Sequence, residues 1–350
     1  MLVSVTPIAQ TAGAAPAESI STSATLHRQN SLMFIANVGQ FDQSARFQIR
    51  GAAASMFLAE NALWLTIVDP QLLTDAKRRA GQHNQAPTLA RAQRQASTPR
   101  GANIKLSFIG ANPHPQIEGF NRLDTHLSYF HGDESQWRAD VPVWGGVRYY
   151  DLYPGIDLEL SGAQGRLEQR LRVRPGANLD AVYMRVDGSD RQTIESDYLR
   201  IQTAVGDVSM PLLRIEKDGA IQRPPAGLAP SVQGGDIRAP FAQSPYQSSP
   251  PITRSALGIG YGTFLGGEFD DFSEDIAVDS TGAAYVTGYT FSPSFPHTPG
   301  AFDPTCGIDP SGSCDLDGDF YFYDSFAAKL SPDGSSLVYA TFIGGSRNDY

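Results

Sequence analysis

At 350 residues the chain exceeds what one ordinary core organises, so two domains are expected. Its net charge of −10 excludes a nucleic-acid footprint, which needs clustered Lys and Arg, and no run approaches the roughly 18 consecutive apolar residues of a membrane span. With 34 Gly, 24 Pro and 41% hydrophobic residues spread over short apolar runs between turn residues, the composition predicts an all-β protein.

Residues 1–30 read as a disordered leader or signal remnant. MLVSVTPIAQTAGAAPA has small residues suited to processing but no basic n-region. An N-terminal antiparallel β-sandwich-like domain is expected over 31–220, from runs such as LMFIANVGQF, ARFQIRG, SMFLAENALWLTIVD and IKLSFIG. A basic insertion at about 70–100, carrying Lys77, Arg78, Arg79, Arg91, Arg94 and Arg100 in a Gln- and Ala-rich context, reads as solvated. The clearest hairpin is GIDLELSGAQGRLEQRLRVRPG. Ile156, Leu158 and Leu160 alternate with Asp157 and Glu159, and Leu167, Leu171 and Val173 with Glu168, Arg170 and Arg172. Residues 221–256, with seven prolines and little apolar periodicity, are expected to form an extended linker.

From 257 to 350 the sequence repeats itself. GYGTFLGGEFDD from Gly260 returns as VYATFIGGSRND from Val338, an offset of 78 (338 − 260). Between the copies, Ile276–Asp279, Ala283–Tyr289, Ser325–Leu330 and Ser336–Ile343 predict four antiparallel strands with turns at Asp279–Gly282 and Ser331–Gly334, the makeup of the first blade of a β-propeller. The excess over the usual 40 to 50 residues per blade falls in an insertion at about Ser292–Asp324. In a closed ring the first copy would be a fourth strand donated to the last blade.

YGTFLGGEFDD, DIAVDSTGAAYVTGYT, FPHTPGAF and DSFAAKLSPDGSSLVYATFIGG together resemble the bacterial β-propeller repeats called SBBP repeats. FIANVGQFD, HLSYFHGDESQWRADVPVWGGVRYYDLYPGIDLEL and LRVRPGANLDAVYMRVDG are similar to the uncharacterised domain that often precedes them. The resemblance implies a secreted or cell-surface bacterial protein without established catalytic residues. Since one blade cannot bury both faces, a longer natural chain is expected.

Several residues are candidates for chemistry. Asp315, Asp317 and Asp319 in DLDGD alternate as oxygen ligands for calcium do, though Gly318 comes one position early for an EF-hand loop. Cys306 and Cys314 in CGIDPSGSC read as a disulfide. The acidic run Glu268, Asp270, Asp271, Glu274 and Asp275 reads as an exposed loop between strands. Asp157 and Glu159 have the chemistry of a glycosidase pair but face Arg170 and Arg172 as cross-strand charges. His126 and His131 beside Asp133 and Glu134 are a conceivable metal set, and Trp137, Trp144, Tyr149 and Tyr150 a conceivable sugar platform, better read as core. No nucleophile elbow, phosphate loop or HExxH occurs. The expected function is non-enzymatic binding or scaffolding through propeller loops, with a glycan or a surface protein as partner. A polysaccharide hydrolase and a structural surface spacer are the rivals.

Overall fold

Apolar residues recurring at every second position give a strand one dry face and one wet one, and most of the chain is used this way. The computed structural model describes residues 2–5, 32–50, 54–68, 101–163, 166–244, 261–307, 315–317, 320–321 and 323–345. Among these there is no α-helix, only two 3-10 turns at Glu134–Gln136 and Leu179–Ala181. The protein is all-β.

Strand β1 (Leu2–Val5) is followed by an antiparallel meander of β2 (Phe34–Ala36), β3 (Ala45–Arg50), β4 (Ala54–Ala59), β5 (Ala62–Val68) and β6 (Gly101–Ile109). Phe47 and Ile49, Met56 and Leu58, Leu63, Leu65 and Ile67, and Ile104, Leu106 and Phe108 alternate inward along it. The basic insertion falls between β5 and β6 and lies outside the described residues.

Next come two strands of 16 residues each, β7 (Gln116–His131) and β8 (Arg138–Tyr153), paired along their length. Register shifts between Arg122 and His126 and between Leu127 and Tyr129 mark bulges, which bend such a pair. The sheet branches at β8. One arm runs through β9 (Ile156–Ala163), β10 (Arg166–Val173), β15 (Arg214–Lys217) and β16 (Ala220–Gln222). The other runs from β2 to β6 and on through β11 (Tyr183–Asp187), β18 (Asp236–Arg238) and β17 (Ser231–Gln233). A small separate sheet holds β12 (Arg191–Glu195), β13 (Tyr198–Thr203) and β14 (Gly206–Pro211). Among these strands pairing is antiparallel except where β10 meets β15 in parallel, and β7 makes a second parallel pairing with a strand from later in the chain.

The arms share one core. Phe34, Leu58 and Leu106 from one, Tyr149, Leu158 and Leu171 from the other, and Ile201 and Met210 from the small sheet form a single cluster. Two phenols tie it together: Tyr149 donates to the Ala59 carbonyl at 3.0 Å and Tyr153 to the Ile109 carbonyl at 3.1 Å. Burial raises the pKa of both, keeping them donors.

The stretch expected as a linker belongs to this body as far as Ala242. Gly234 and Gly235 both take positive φ, 56° and 88°, the requirement of a two-residue hairpin turn, and they join β17 to β18. Ile237 and Phe241 then bury in the main core. Residues 245–260 lie outside the described residues.

The second region is a four-stranded antiparallel sheet in chain order: β20 (Asp271–Val278), β21 (Ala284–Thr290), β24 (Asp324–Leu330) and β25 (Leu337–Ile343). All four expected strands are present, the first longer than expected. Both turns are closed by an acidic side chain. Asp279 accepts from the Thr281 amide at 2.9 Å and hydroxyl at 2.6 Å, and Asp333 from the Ser331 hydroxyl at 2.6 Å. The insertion carries a short hairpin, β22 (Asp315–Asp317) and β23 (Phe320–Tyr321), and sends Phe295 and Cys306 into the sheet's core.

The first copy of the echo is strand β19 (Tyr261–Gly266), and it is not donated to a blade. It pairs in parallel with His126–His131 of β7 and antiparallel with β1. Its side chains explain this placement. Tyr261 and Leu265 point into the core of the four-stranded sheet, while Phe264 points into a third cluster with Ile35, Leu127, Val141 and Val143. The strand is therefore a shared wall between the two regions.

Candidate functional site

Where β19 crosses from one region to the other, a cleft of about 640 Å³ opens. Its floor is built from the wall strand and its parallel neighbour. The rings of Tyr129 and Phe264 stack at 4.6 Å, and the Arg50 guanidinium lies 4.5 Å from the centre of the Phe264 ring. The Tyr129 hydroxyl is buried without a hydrogen-bond partner. Burial pushes it up to about 12, opposed by the positive charge of Arg50.

One wall is the loop after β2. Asn37 organises it: its amide donates to the carbonyls of Phe41, Asp42 and Ala45 at 3.1, 2.9 and 2.8 Å, and its carbonyl oxygen accepts from the Gly39 amide at 2.9 Å. Gly39 has a φ of +104°, and a Cβ there would meet the Arg138 guanidinium at 3.1 Å, so glycine lets that side chain lie against the loop. Arg138 spends one nitrogen, Nη1, on the Ser135 and Trp137 carbonyls at 3.1 and 2.8 Å. Among the described residues neither Arg50 nor Arg138 belongs to an ion pair.

The opposite wall runs from Gly266 to Asp271. Asp271 accepts from the Thr290 hydroxyl at 2.5 Å and the Gly267 amide at 2.8 Å. Burial raises its carboxyl above the ordinary range, and these hydrogen bonds offset part of the rise. Phe269 stands at the rim, 59% exposed, and His131 and Gln136 complete the opening. The cleft thus combines an exposed ring, two guanidiniums that belong to no ion pair among the described residues, amides and carboxylates. Such a surface can hold a polar ligand with an apolar face.

The residues singled out from sequence are dispersed. Asp315 and Asp317 begin the β22–β23 hairpin; their side chains, and Asp319 altogether, lie outside the described residues. Cys306 is buried in the core of the four-stranded sheet, and Cys314 lies outside the described residues. Within the acidic run, Asp271 departs from the expected exposed loop, for it opens β20 and is held by Thr290 and Gly267.

Asp157 and Glu159 form the expected charge ladder. β10 places Arg170 opposite Glu159 and Arg172 opposite Asp157, but the ion pairs run diagonally: Glu159 is bound by Arg148 at 2.6 Å and Arg172 at 2.8 Å, Asp157 by Arg174 at 3.0 Å, and Arg170 turns to Glu216 at 3.0 Å. His126 and His131 lie on β7, and among the described residues no three His, Cys, Asp or Glu converge on a metal-sized site. Tyr149 is core, Trp137 packs on the core of the four-stranded sheet, and Trp144 and Tyr150 are half-buried beneath Arg122 and Arg148. Arg50, Tyr129, Arg138 and Phe264 drew no attention in the sequence, because their meeting depends on a parallel pairing between segments more than a hundred residues apart.

No helix among the described residues is long and apolar enough to cross a membrane. A family described as a domain of unknown function (DUF7948) matches residues 34–212. No curated protein and no solved structure matches the chain.

Proposed function

We propose that this chain, which belongs to the DUF7948 family, is a non-enzymatic binding protein of the bacterial exterior that takes a glycan in the cleft between its body and its four-stranded sheet. The observation that carries this reading is the pair of guanidiniums, Arg50 and Arg138, aimed into a cleft with no acidic partner among the described residues. A cleft of about 640 Å³ suits a short oligosaccharide. Phe269 would stack on a sugar ring's apolar face, while the guanidiniums, Gln136 and Asp270 exchange hydrogen bonds with its hydroxyls. The body is a sandwich-like domain and the four-stranded sheet a propeller blade of the SBBP kind, a reading supported by the strand order and the echoed motif.

The hydrolase reading has one observation in its favour, the raised carboxyl of Asp271 in the cleft. Against it, both oxygens of that carboxyl already accept hydrogen bonds. The test is retention of the full chain on immobilised neutral and acidic oligosaccharides, with reducing ends assayed in the eluate. Retention without sugar release, lost in Arg50→Ala, supports the proposal. Release abolished by Asp271→Asn replaces it with a hydrolase, and no retention on any sugar overturns both.

The same proposal includes a Cys306–Cys314 disulfide fastening the insertion and a calcium ion at Asp315, Asp317 and Asp319. Burial of Cys306 in the sheet's core supports the first. A melting temperature that rises with added calcium would support the second, because a ligand held only by the folded state stabilises it.

A further inference from the structure

Two guanidiniums of the body hold carboxylates by the same edge. Arg185 turns its Nε and Nη2 to the two oxygens of Asp236 at 2.7 and 3.3 Å, and Arg200 turns the same two nitrogens to Oδ2 of Asp207 at 3.0 and 2.7 Å. That edge carries two parallel N–H groups spaced to meet a carboxylate. Arg138, at the cleft, has it unspent. Only its Nη1 is used, on the Ser135 and Trp137 carbonyls, and among the described residues neither Nε nor Nη2 has a hydrogen-bond acceptor. The anchored Nη1 fixes the plane of the group, while the loop ordered by Asn37 brings Gly39 against the free edge. The place that a Cβ on Gly39 would take lies 3.1 Å from Nε and 3.4 Å from Nη2, and the nearest atoms beyond the adjoining residues all belong to Arg138. Glycine therefore leaves an open notch within hydrogen-bond reach of two idle donors, and Gly39, Gln40, Gln136 and Arg138 line the same cleft.

We infer, on the glycan reading of the cleft, that its sugar is a carboxylated one and that the carboxylate docks side-on against Nε and Nη2 of Arg138. The protein does not fill this seat itself. Among the described residues no ion pair reaches Arg138 from Asp270 or Asp271 on the opposite wall, and Asp271 is committed to the Thr290 hydroxyl and the Gly267 amide. Arg50 adds positive charge from above the Phe264 ring, which favours any anion. Arg138 adds geometry: its fork matches two oxygens in one plane, as Arg185 matches Asp236. A uronic acid carries a carboxylate where a neutral sugar has a hydroxymethyl group, so the fork discriminates between a charged acceptor and a hydroxyl.

The test is calorimetric titration of the full chain with a panel of oligosaccharides: galacturonate, glucuronate and mannuronate oligomers, each beside its methyl ester, with neutral and sulfated oligomers as further arms. At least one acid is expected to bind about tenfold or more tighter than its own ester and than the sulfated sugars. Arg138→Lys keeps the charge and loses the fork, so acid and ester are expected to converge to within about twofold. Sugars that bind with no preference for acid over ester overturn the inference and leave the glycan reading standing, and this comparison on the unaltered chain decides even where Arg138→Lys does not fold. A sulfated sugar bound as tightly as the acid, or an acid preference that Arg138→Lys retains, overturns it in favour of charge alone. Absence of binding by every sugar overturns the glycan reading and the carboxylate seat with it.

Discussion

The body and the four-stranded sheet solve the same problem in different ways. The body bends one branched sheet around a core that its own arms close, with Tyr149 and Tyr153 bonding across the gap. The four-stranded sheet has no second layer of its own. Its inner face is covered by β19, by Phe130 and Trp137 from the body, and by Phe295 and Cys306 from its insertion. A core assembled from borrowed pieces leaves a seam, and the cleft lies along that seam.

Five predictions, built on six substitutions, test this contrast, ordered by the effect expected of the first substitution named in each. Phe34→Ala empties a fully buried site in the body's closed core and should cost about 3–5 kcal/mol in urea unfolding. Gly334→Ala combines a φ of +69° with a collision against Tyr261, so about 1–3 kcal/mol is expected, with labelling of Tyr261 and Leu265 increased while that of Phe34 stays constant. If Phe34 also became accessible, the two regions would form one cooperative unit. Tyr149→Phe leaves the Ala59 carbonyl buried without its donor and should cost about 1–3 kcal/mol in the body.

The fourth concerns acid. Asp279 is held down to about 2, chiefly by the Thr281 hydroxyl. Because its folded pKa lies below the ordinary 3.8, its stabilising contribution is complete above that value and disappears as pH falls from there towards 2. Melting followed from pH 5 to 2 should show an acid loss that Asp279→Asn removes. Smallest of all, Ile343→Ser should change the stability of this chain by less than about 0.5 kcal/mol, whereas Leu265→Ser, its repeat equivalent, should be severely destabilising. Equal effects at the two positions would erase the distinction between covered and open faces.

The legible parts of this fold were those decided locally. Period-two alternation located β9 and β10 with their charge register, and the turns at Asp279 and Ser331 located the strands around them. The β17–β18 hairpin was obscured by its prolines, although Gly234-Gly235 before Asp236 carried a usable turn signal. The parallel pairing of β19 with β7 had no local signature, since it joins Tyr261 to His126 across most of the body. The cleft inherits that difficulty: Arg50, Tyr129, Arg138 and Phe264 come from four strands and become neighbours only once that pairing forms.

The most direct test of the seam as a binding site is hydrogen–deuterium exchange of the full chain with and without an oligosaccharide that it retains. Protection confined to residues 37–42, 129–138 and 264–271 is the result predicted here. Protection confined to the insertion at 291–323, or none at all at saturating sugar, would contradict it.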